Sequence, residues 1–236
     1  MEPRQGVRSE SACMALPAWT TAPSADLSAL MFRRANANDA AVLAPLVLAS
    51  GSEEFAWLLN APPDACEDFL RHAIAAPHGR FSWTRHLIAT LDDQPVAALA
   101  IQDGRHNWLD DFYAVRDFLK HFGLRRVPGI IRRGLILENE IPAPTRRQTL
   151  IAYCATHPDL RGRGIFRSLF AHAMTRQLLP ARAGQMLVLD VLNTNRRAAA
   201  LYRELGFESI KDGRRCSSWL PAHLAATRMR YRRQDN

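Results

Sequence analysis

The chain reads HPDLRGRGIF over residues 157–166, and this stretch connects two apolar segments. Residues 149–156, just before it, are uncharged, as is typical of a strand buried on both faces. Residues 164–179, just after it, carry apolar side chains at helical spacing and end before Pro180. The stretch is therefore predicted to be the turn from a buried strand into an amphipathic helix.

The two glycines of this turn, Gly162 and Gly164, allow two interpretations. Backbone N–H groups are unpaired at the start of a helix, where the helix dipole is positive, and such groups bind phosphate. Arg161, Arg163 and Arg167 would add full positive charges. An ordinary strand-to-helix turn with solvated arginines accounts for the same residues. The stretch alone leaves both interpretations open.

A second patterned segment, NRRAAALYRELGF, occupies residues 195–207. Its first residue is a favourable helix N-cap and Gly206 is a favourable helix end, so a helix is predicted over Asn195–Leu205. Tyr202 lies on the apolar face of this helix, at spacings of three and four from its Ala and Leu residues. By itself Tyr202 is either a core residue whose hydroxyl finds a partner or a functional phenol.

The rest of the chain is predicted to alternate between strands and helices. Two β-rich runs, 86–91 and 96–101, predict a β-hairpin. Residues 105–147 carry two helical patterns, the first ending at Gly123 and the second covering Ile130–Leu137. Helices are predicted over 62–76 and after Asn38 or Asp39. In the latter helix Pro45 should lie in an early turn or kink the helix. Further strands are predicted at Met31–Arg34, Met186–Val191, Phe207–Lys211 and Thr227–Tyr231.

The composition is that of a globular protein with an uneven charge. The 236 residues are 47% hydrophobic and 23% charged, which excludes collagen-like, wholly disordered and disulfide-scaffold classes. The net charge is +8. Residues 105–236 hold 24 basic and 11 acidic side chains, whereas residues 1–104 hold 7 and 12. The basic part indicates an anionic partner and leaves open nucleic acid, a membrane surface and a phosphorylated small molecule.

Cysteine and histidine spacing predicts no metal site. The eight histidines show no ligand spacing. No apolar run approaches the ~20 residues that span a bilayer, and the N-terminus lacks the apolar region of a secretory signal, so a cytoplasmic protein is expected. Four cysteines show neither CxxC nor zinc-type spacing and are expected to be reduced thiols: Cys13, Cys66, Cys154 and Cys216.

Together the two patterned segments resemble the GNAT N-acetyltransferase superfamily. They present an Arg-x-x-Gly loop between a strand and a helix and, at a separation of 34 residues, Asn-x-x-Ala-x-x-Leu-Tyr-x-x-Leu-Gly-Phe. The resemblance covers about residues 31–233 and is strongest over 149–210. It implies a mixed α/β N-acetyltransferase domain over 31–233, with a central, mostly antiparallel sheet that splays at the cofactor site and is flanked by helices. A disordered tail, 1–30, would precede the domain, and 105–147 would be a helical insert between its third and fourth strands.

The resemblance also implies a role for individual residues toward acetyl-CoA, the cosubstrate. Tyr202 would donate a proton to the departing CoA thiolate, which a phenol of pKa ~10 can do as a general acid. Asn195 would lie near the cofactor arm. The backbone of Ala155, Thr156 and His157 would bond the pantetheine arm, and the pyrophosphate would be wrapped by Arg161, Gly162, Arg163, Gly164, Ile165 and Phe166.

The sequence departs from the family pattern in two places. The last glycine of the loop motif is replaced by Phe166, so the backbone is expected to approach the cofactor less closely, or the ring to pack below it. Many relatives carry an acidic residue on the strand before the loop, and residues 149–156 have none. The general base is therefore expected to be Glu138 or Glu140 at the end of the insert, Asp190 on the next strand, or ordered water.

The insert is expected to overhang the acceptor site. Its aromatic residues would either line an acceptor pocket or pack the insert onto the sheet: Trp108, Phe112, Tyr113, Phe118 and Phe122.

The function implied is transfer of an acetyl group from acetyl-CoA to a primary amine of a small molecule, by direct attack in a ternary complex. The alternatives are a protein or peptide N-acetyltransferase and a non-catalytic module that binds CoA or nucleic acid. No recognisable nucleic-acid motif interleaves aromatic residues with the basic charge, so neither nucleic acid nor a membrane is an expected partner. A homodimer remains open.

Overall fold

The computed structural model describes residues 27–210 and 218–232. Residues 1–26 of the predicted tail, 1–30, lie outside the described residues. Its remaining part includes a 3-10 turn at Leu27–Ala29, and Leu27 packs against the core. Lys211, the predicted end of a strand, and residue 233, the predicted domain end, also lie outside the described residues.

The described strands form one seven-stranded sheet in the order β1-β2-β3-β4-β5-β7-β6. β4 and β5 are parallel, and every other neighbouring pair is antiparallel. The mixed α/β fold with a mostly antiparallel sheet is thus confirmed. The strands are β1 Met31–Arg34, β2 His86–Leu91, β3 Gln94–Asp103, β4 Gln148–Thr156, β5 Met186–Leu192, β6 Phe207–Ser209 and β7 Ala226–Tyr231.

Seven α-helices accompany the sheet in the described residues. The sequence pattern does not anticipate α2, which is only eight residues long. α6 ends four residues before the predicted Leu179, because Gln177 turns left-handed at φ 54°. Pro45 lies inside α1. The helices are α1 Ala40–Ser50, α2 Ser52–Leu59, α3 Pro63–Ala75, α4 Asn107–Phe122, α5 Val127–Glu140, α6 Ile165–Thr175 and α7 Arg196–Glu204.

The two faces of the sheet carry separate cores. α1 lies on one face, and α2, α3 and the insert helices α4 and α5 complete the core there, with Leu43, Phe69 and Ile88 fully enclosed. α6 and α7 cover the other face, where Leu99 and Leu169 are fully enclosed. Apolar burial on both faces explains why β2, β3 and the first half of β4 read as nearly unbroken apolar runs.

The insert packs mainly on α2 and α3. The ring of Phe118 stacks on Phe69 at 5.1 Å between centroids, and Arg133 donates to the Leu58 carbonyl at 2.8 Å. Of the other insert aromatics, Phe122 also packs on Phe69, Tyr113 stacks on His78, and Trp108 and Phe112 are 68% and 64% exposed. These contacts make most of the insert aromatics packing groups.

The β4 strand contains a bulge that changes which side chains face each core. Ala98 pairs with Ala155 and Ala100 with Ala152, so Leu99 alone opposes two residues of β4. The first of these, Tyr153, is left-handed at φ 52°. Past this point the pairing of β4 with β5 has also ended.

In the described residues, 27–210 and 218–232, no single helix is long and apolar enough to cross a bilayer. Ala37–Ser50 and Ser52–Leu59 reach the required length and hydropathy only as a pair, across a bend of 95°.

Candidate active site

The loop between β4 and α6 turns through two left-handed glycines, Gly162 at φ 84° and Gly164 at φ 80°. A side chain at either position would strain the backbone. The first hydrogen bond of α6 runs from the Ser168 N–H to the Gly164 carbonyl at 2.9 Å. The N–H groups of Ile165, Phe166 and Arg167 therefore stand at the positive end of the helix without an intrahelical acceptor. This arrangement suits a phosphate group.

Arginines surround this loop from two directions. The Arg161 side chain donates to the Thr156 carbonyl at 3.2 Å, and this bond ties the start of the loop to the end of β4. Arg197 of α7 lies against Gly162, since a methyl group built on that glycine would lie 3.3 Å from the Arg197 Nη2. Arg167 pairs with Glu204, joining α6 to α7. In the folded chain Arg197 of α7 therefore adds positive charge to the loop, which could not be deduced from sequence spacing.

The last residues of β4 have unpaired backbone groups on the side that faces β5, because the two strands no longer pair there. Pairing between the two strands stops at Ile151 and Leu189. The N–H of His157 donates to the Val96 carbonyl at 2.8 Å, and the His157 carbonyl accepts from Leu160 at 3.0 Å. Because bonded positions alternate along an antiparallel pair, the N–H of Thr156 faces the gap beside β5 instead.

Tyr202 projects from α7 onto the same end of β4. Asn195 begins this helix, its Oδ1 accepting the Ala198 N–H at 3.0 Å, as the sequence predicts. The Tyr202 ring is 7% exposed, with Phe166 and Phe207 packed against it edge-on at 6.3 and 6.2 Å between centroids. Phe166, which stands where the family motif has its last glycine, thus packs its ring beneath the glycine loop and against Tyr202.

The side chains of Tyr202 and Cys154 are close enough to influence each other's ionisation. Burial, and to a smaller extent the neighbouring Cys154, raises the pKa of Tyr202 well above that of a free phenol, so it stays protonated at neutral pH. Burial raises the pKa of Cys154 to about 12. The pair is a source of a proton and not of a thiolate nucleophile.

A cavity of about 410 Å³ unites the loop, the end of β4 and α7. Of the residues predicted to contact the cofactor, two do not line it: His157, whose backbone is used in the sheet and the following turn, and Arg163. The lining contains nine of the others: Ala155, Thr156, Arg161, Gly162, Gly164, Ile165, Phe166, Asn195 and Tyr202. Arg167, which the sequence suggested as a positive charge at the loop, also lines the cavity. Sequence reasoning did not assign the remaining lining residues, which are Ala49, Ser50, Cys154, Leu160, Arg197, Ala198 and Leu201.

None of the carboxylates expected as a general base lines this cavity. Glu138 is exposed on α5. Glu140 is buried, and its carboxylate accepts the Ala226 N–H at 3.1 Å. Asp190 is held by Arg228 at 2.6 and 2.9 Å. These contacts give Glu140 and Asp190 structural roles.

A different carboxylate lies beside the cavity wall. Ser50, at the end of α1, lines the cavity. The Glu54 carboxylate folds back toward Gly51, the residue after Ser50, and its Oε2 would lie 3.0 Å from a methyl group built on that glycine. Burial raises the pKa of Glu54. Glu53, its neighbour, lies 3.9 Å from His223 of the segment before β7. No sequence spacing marks Glu54, since its position depends on the sharp junction of α1 and α2.

Among the residues that the structure describes, no three His, Cys, Asp or Glu side chains cluster closely enough to hold a metal ion. The donors that line the cavity are backbone N–H groups, guanidinium groups and a phenol. These donors suit the oxygen atoms of a phosphate and the sulfur atom of a thiolate.

Solved acetyltransferases share this fold. An acetyltransferase matches with a TM-score of 0.60 and 18% identity, covering 85% of this chain and 98% of its own. An N-acetyltransferase from Staphylococcus aureus Mu50 gives the same TM-score and coverage at 19% identity. An agmatine N-acetyltransferase in its apo form gives 0.51 at 17% identity, covering 86% of this chain and 98% of its own. A search of curated proteins finds no match.

The sequence profile of the acetyltransferase (GNAT) family matches residues 52–207, about two thirds of the chain. This range contains β4, the glycine loop and α7. The family uses acetyl-CoA as cosubstrate. The chain belongs to the GNAT acetyltransferase family and is an acyl-CoA-dependent N-acyltransferase.

Proposed function

We propose that this protein transfers the acetyl group of acetyl-CoA to a primary amine of a small molecule. The observation that carries the proposal is the cavity in which the glycine loop, the free edge of β4 and Tyr202 meet. For acetyl-CoA, the helix start would bind the pyrophosphate and the N–H groups at the edge of β4 would bind the arm. The buried phenol would give a proton to the leaving sulfur.

The cofactor end of the cavity is built for a pyrophosphate. The N–H groups of residues 162–166 and the positive end of α6 would hold its oxygens. Arg161 is already tied to the end of β4, and Arg197 lies over the loop from α7. These two guanidinium groups supply charge-assisted bonds that backbone groups alone do not. Part of the basic surplus of residues 105–236 is accounted for in this way.

The chemical end of the cavity lies between β4 and Tyr202. Acetyl-CoA would supply the activated acetyl group there. The Thr156 N–H, which faces the gap beside β5, would bond the arm, and N–H groups of the free β4 edge would polarise the thioester carbonyl. Tyr202 stays protonated and would give its proton to the sulfur as the carbon–sulfur bond breaks.

Glu54 replaces Glu138, Glu140 and Asp190 as the proposed general base. It lies four residues beyond Ser50 of the cavity wall, and its raised pKa suits a group that accepts a proton near neutral pH. A carboxylate also favours a cationic acceptor, because amines arrive protonated. The net acidic charge of residues 31–104, which carry Glu53 and Glu54, supports a cationic small amine.

A thiol-release assay tests this function. The protein is incubated with acetyl-CoA and a panel of polyamines, amino acid derivatives, amine antibiotics and peptides, and the acetylated product is identified by mass spectrometry. Thiol release with small amines is the expected result. Release with peptides alone would make the protein a peptide N-acetyltransferase. Thermal stabilisation by acetyl-CoA without release across the panel would favour a non-catalytic module, and failure of CoA to bind would overturn the proposal.

A further inference from the structure

The outer side of the insert carries most of the large apolar side chains that the fold leaves exposed. Eight such side chains occur in the described residues, 27–210 and 218–232, and five of them lie on α4, on α5 or in the turn between these helices. Isolated exposed apolar residues are ordinary, whereas their concentration on one element marks a contact surface. We call these five residues, each 39–79% exposed, the insert face: Trp108, Phe112, Leu124, Ile131 and Leu135.

Helix geometry places the insert face on the side of the insert that is turned away from the core. α4 and α5 are joined by residues 123–126 only, so they run antiparallel as neighbours. Both pack on the same core, α4 through Ala114 and α5 through Ile130. Phe112 and Leu135 lie nearly opposite those contacts, at about 160° and 140° around their helices. The two helices therefore present their exposed apolar side chains on the same side.

The charges around the insert face are mostly positive. Lys120, Arg125 and Arg132 are exposed and make no ion pair with any residue that the structure describes. Glu138 is the one exposed carboxylate of α4 and α5 that is likewise unpaired among the described residues. The aspartates of α4 are engaged in ion pairs, which are Asp110 with Arg85, Asp111 with Arg80 and Asp117 with Arg116. The insert face thus combines apolar side chains with free cations, which fits an anionic partner.

An anionic lipid surface matches the insert face better than a protein does. A second copy of the chain, related by a two-fold axis, would set one positive surface against another. A protein groove takes apolar anchors in a row along one helix, whereas the insert face is divided between two helices and their turn. Aromatic and aliphatic side chains among Lys and Arg suit a bilayer interface, where the rings enter the acyl boundary and the cations meet lipid phosphates.

We propose that the insert face docks the protein on an anionic membrane surface. Docking is peripheral: the five apolar side chains enter the interface, and Lys120, Arg125 and Arg132 bind lipid phosphates. The cavity lining contains no residue of α4 or α5, so docking leaves the active site free and is separate from the proposed acetyl transfer. The sequence alone predicts no membrane partner, because helical periodicity does not show which apolar residues of the insert the core leaves exposed.

Vesicle flotation of the full chain tests the charges. The protein should float with phosphatidylcholine vesicles that contain phosphatidylglycerol and not with phosphatidylcholine alone, and added salt should weaken binding. Arg125→Glu with Arg132→Glu should lower affinity at least 10-fold, since each cation near an anionic surface contributes about fivefold. Arg176→Glu with Arg203→Glu is the matched control: it changes the net charge equally at exposed positions on α6 and α7, and affinity should stay within about 2-fold.

Two further variants test the apolar contacts. Trp108→Ser with Leu135→Ser should lower affinity for the same vesicles at least 10-fold while the melting temperature stays unchanged, because both side chains are exposed. Met31→Ser alters an exposed apolar side chain of β1 and should bind as wild type does. Brominated lipids should quench tryptophan fluorescence on binding. Trp108→Phe should keep the affinity and lose most of this quenching, which locates residue 108 in the bilayer.

Four results would overturn the inference: no flotation with phosphatidylglycerol vesicles, equal losses in the two charge-reversal variants, unchanged affinity in Trp108→Ser with Leu135→Ser, or undiminished quenching in Trp108→Phe. Light scattering should show a monomer in solution. A dimer that dissociates in Trp108→Ser with Leu135→Ser would assign the insert face to a second copy and reject the membrane. Thiol release in solution should be the same in all these variants, so failure of docking and failure of the proposed function are distinguishable.

Discussion

Arg228 of β7 holds both carboxylate oxygens of Asp190 on β5, at 2.9 and 2.6 Å, with the two side chains only 4% and 8% exposed. Arg228 also donates to the Pro142 carbonyl at the end of the insert. This ion pair therefore ties β5, the strand beside the gap at the end of β4, to β7. It also explains why Asp190, a carboxylate on the strand after the loop, is a structural group.

Asp190→Asn should lower the free energy of unfolding by about 3 kcal/mol, because it leaves a buried guanidinium without its counter-charge. Chemical denaturation measures the loss. Glu208→Gln is the matched control, since it breaks the half-exposed pair with Arg230 on the same strand, and it should cost less than about 1 kcal/mol. Similar losses for the two variants would contradict the structural role of Asp190.

Arg197→Ala should weaken CoA binding about 10-fold, since one charge-assisted bond is removed. Isothermal titration calorimetry with CoA measures it. Arg196→Ala changes the neighbouring exposed arginine, which does not line the cavity, and should leave affinity within about 2-fold. The assignment of Arg197 to the cofactor loop falls if the two variants lose affinity equally.

Tyr202→Phe should lower kcat by roughly 10- to 100-fold, because the leaving sulfur loses its proton donor while the ring packing between Phe166 and Phe207 is kept. Affinity for CoA, measured without turnover, should be unchanged. Unaltered turnover under conditions in which the chemical step limits the rate would show that another group is the acid.

Glu54→Gln should remove the low-pH limb of the kcat/KM profile. The base must be deprotonated, and burial raises the pKa of Glu54, so wild-type activity should rise with pH through that raised pKa. The amide variant should be slow at every pH and lack this limb. Glu53→Gln, a neighbouring exposed carboxylate, should keep the wild-type profile. A limb that survives in Glu54→Gln would assign the base elsewhere.

His86 should make the fold sensitive to mild acid. Its ring is fully buried in β2 and donates from Nδ1 to the Ser82 carbonyl at 3.0 Å, and burial lowers the pKa of the imidazole to about 4. The unfolded chain, with an ordinary value near 6.5, binds this proton first as the pH falls. The stability from neutral His86 is present above about pH 6.5 and is lost toward pH 4, by up to about 1.4 kcal/mol per pH unit.

Denaturation at a series of pH values checks this prediction, with His86→Gln as the comparison. The variant keeps a donor for the Ser82 carbonyl but binds no proton in this range. Its unfolding free energy should fall less steeply than that of wild type between pH 6.5 and 4. Parallel slopes would show that His86 does not contribute to the acid sensitivity.

Local signals explain what the sequence alone predicted. Gly162 and Gly164 stand where the backbone turns left-handed, so the strand-to-helix turn could be predicted from them, while its binding of phosphate was left open until the resemblance was added. Asn195 caps its helix through the bond that its residue type favours. The period of the same helix placed Tyr202 on its apolar face, and the resemblance to the family gave it the role of the acid.

Non-local geometry explains what the sequence did not predict. Cys154 faces the cavity only because Tyr153 forms a bulge, and a left-handed tyrosine leaves no signature such as glycine or asparagine. Arg197 reaches the cavity through the contact of α7 with the loop. The turn from α1 into α2 brings the Glu54 carboxylate beside Gly51, the residue after Ser50 of the cavity wall. Glu140 was assigned to catalysis from its position in the chain, whereas its carboxylate accepts a backbone N–H of β7.

A crystal structure of the complex with CoA tests the central claim most directly, through the position of the CoA sulfur and pyrophosphate. The pyrophosphate should lie on the N–H groups of residues 162–166 beneath Arg197, and the sulfur should lie within hydrogen-bonding reach of the Tyr202 hydroxyl. CoA bound away from this cavity, or bound in it with the sulfur beyond reach of Tyr202, would contradict the account.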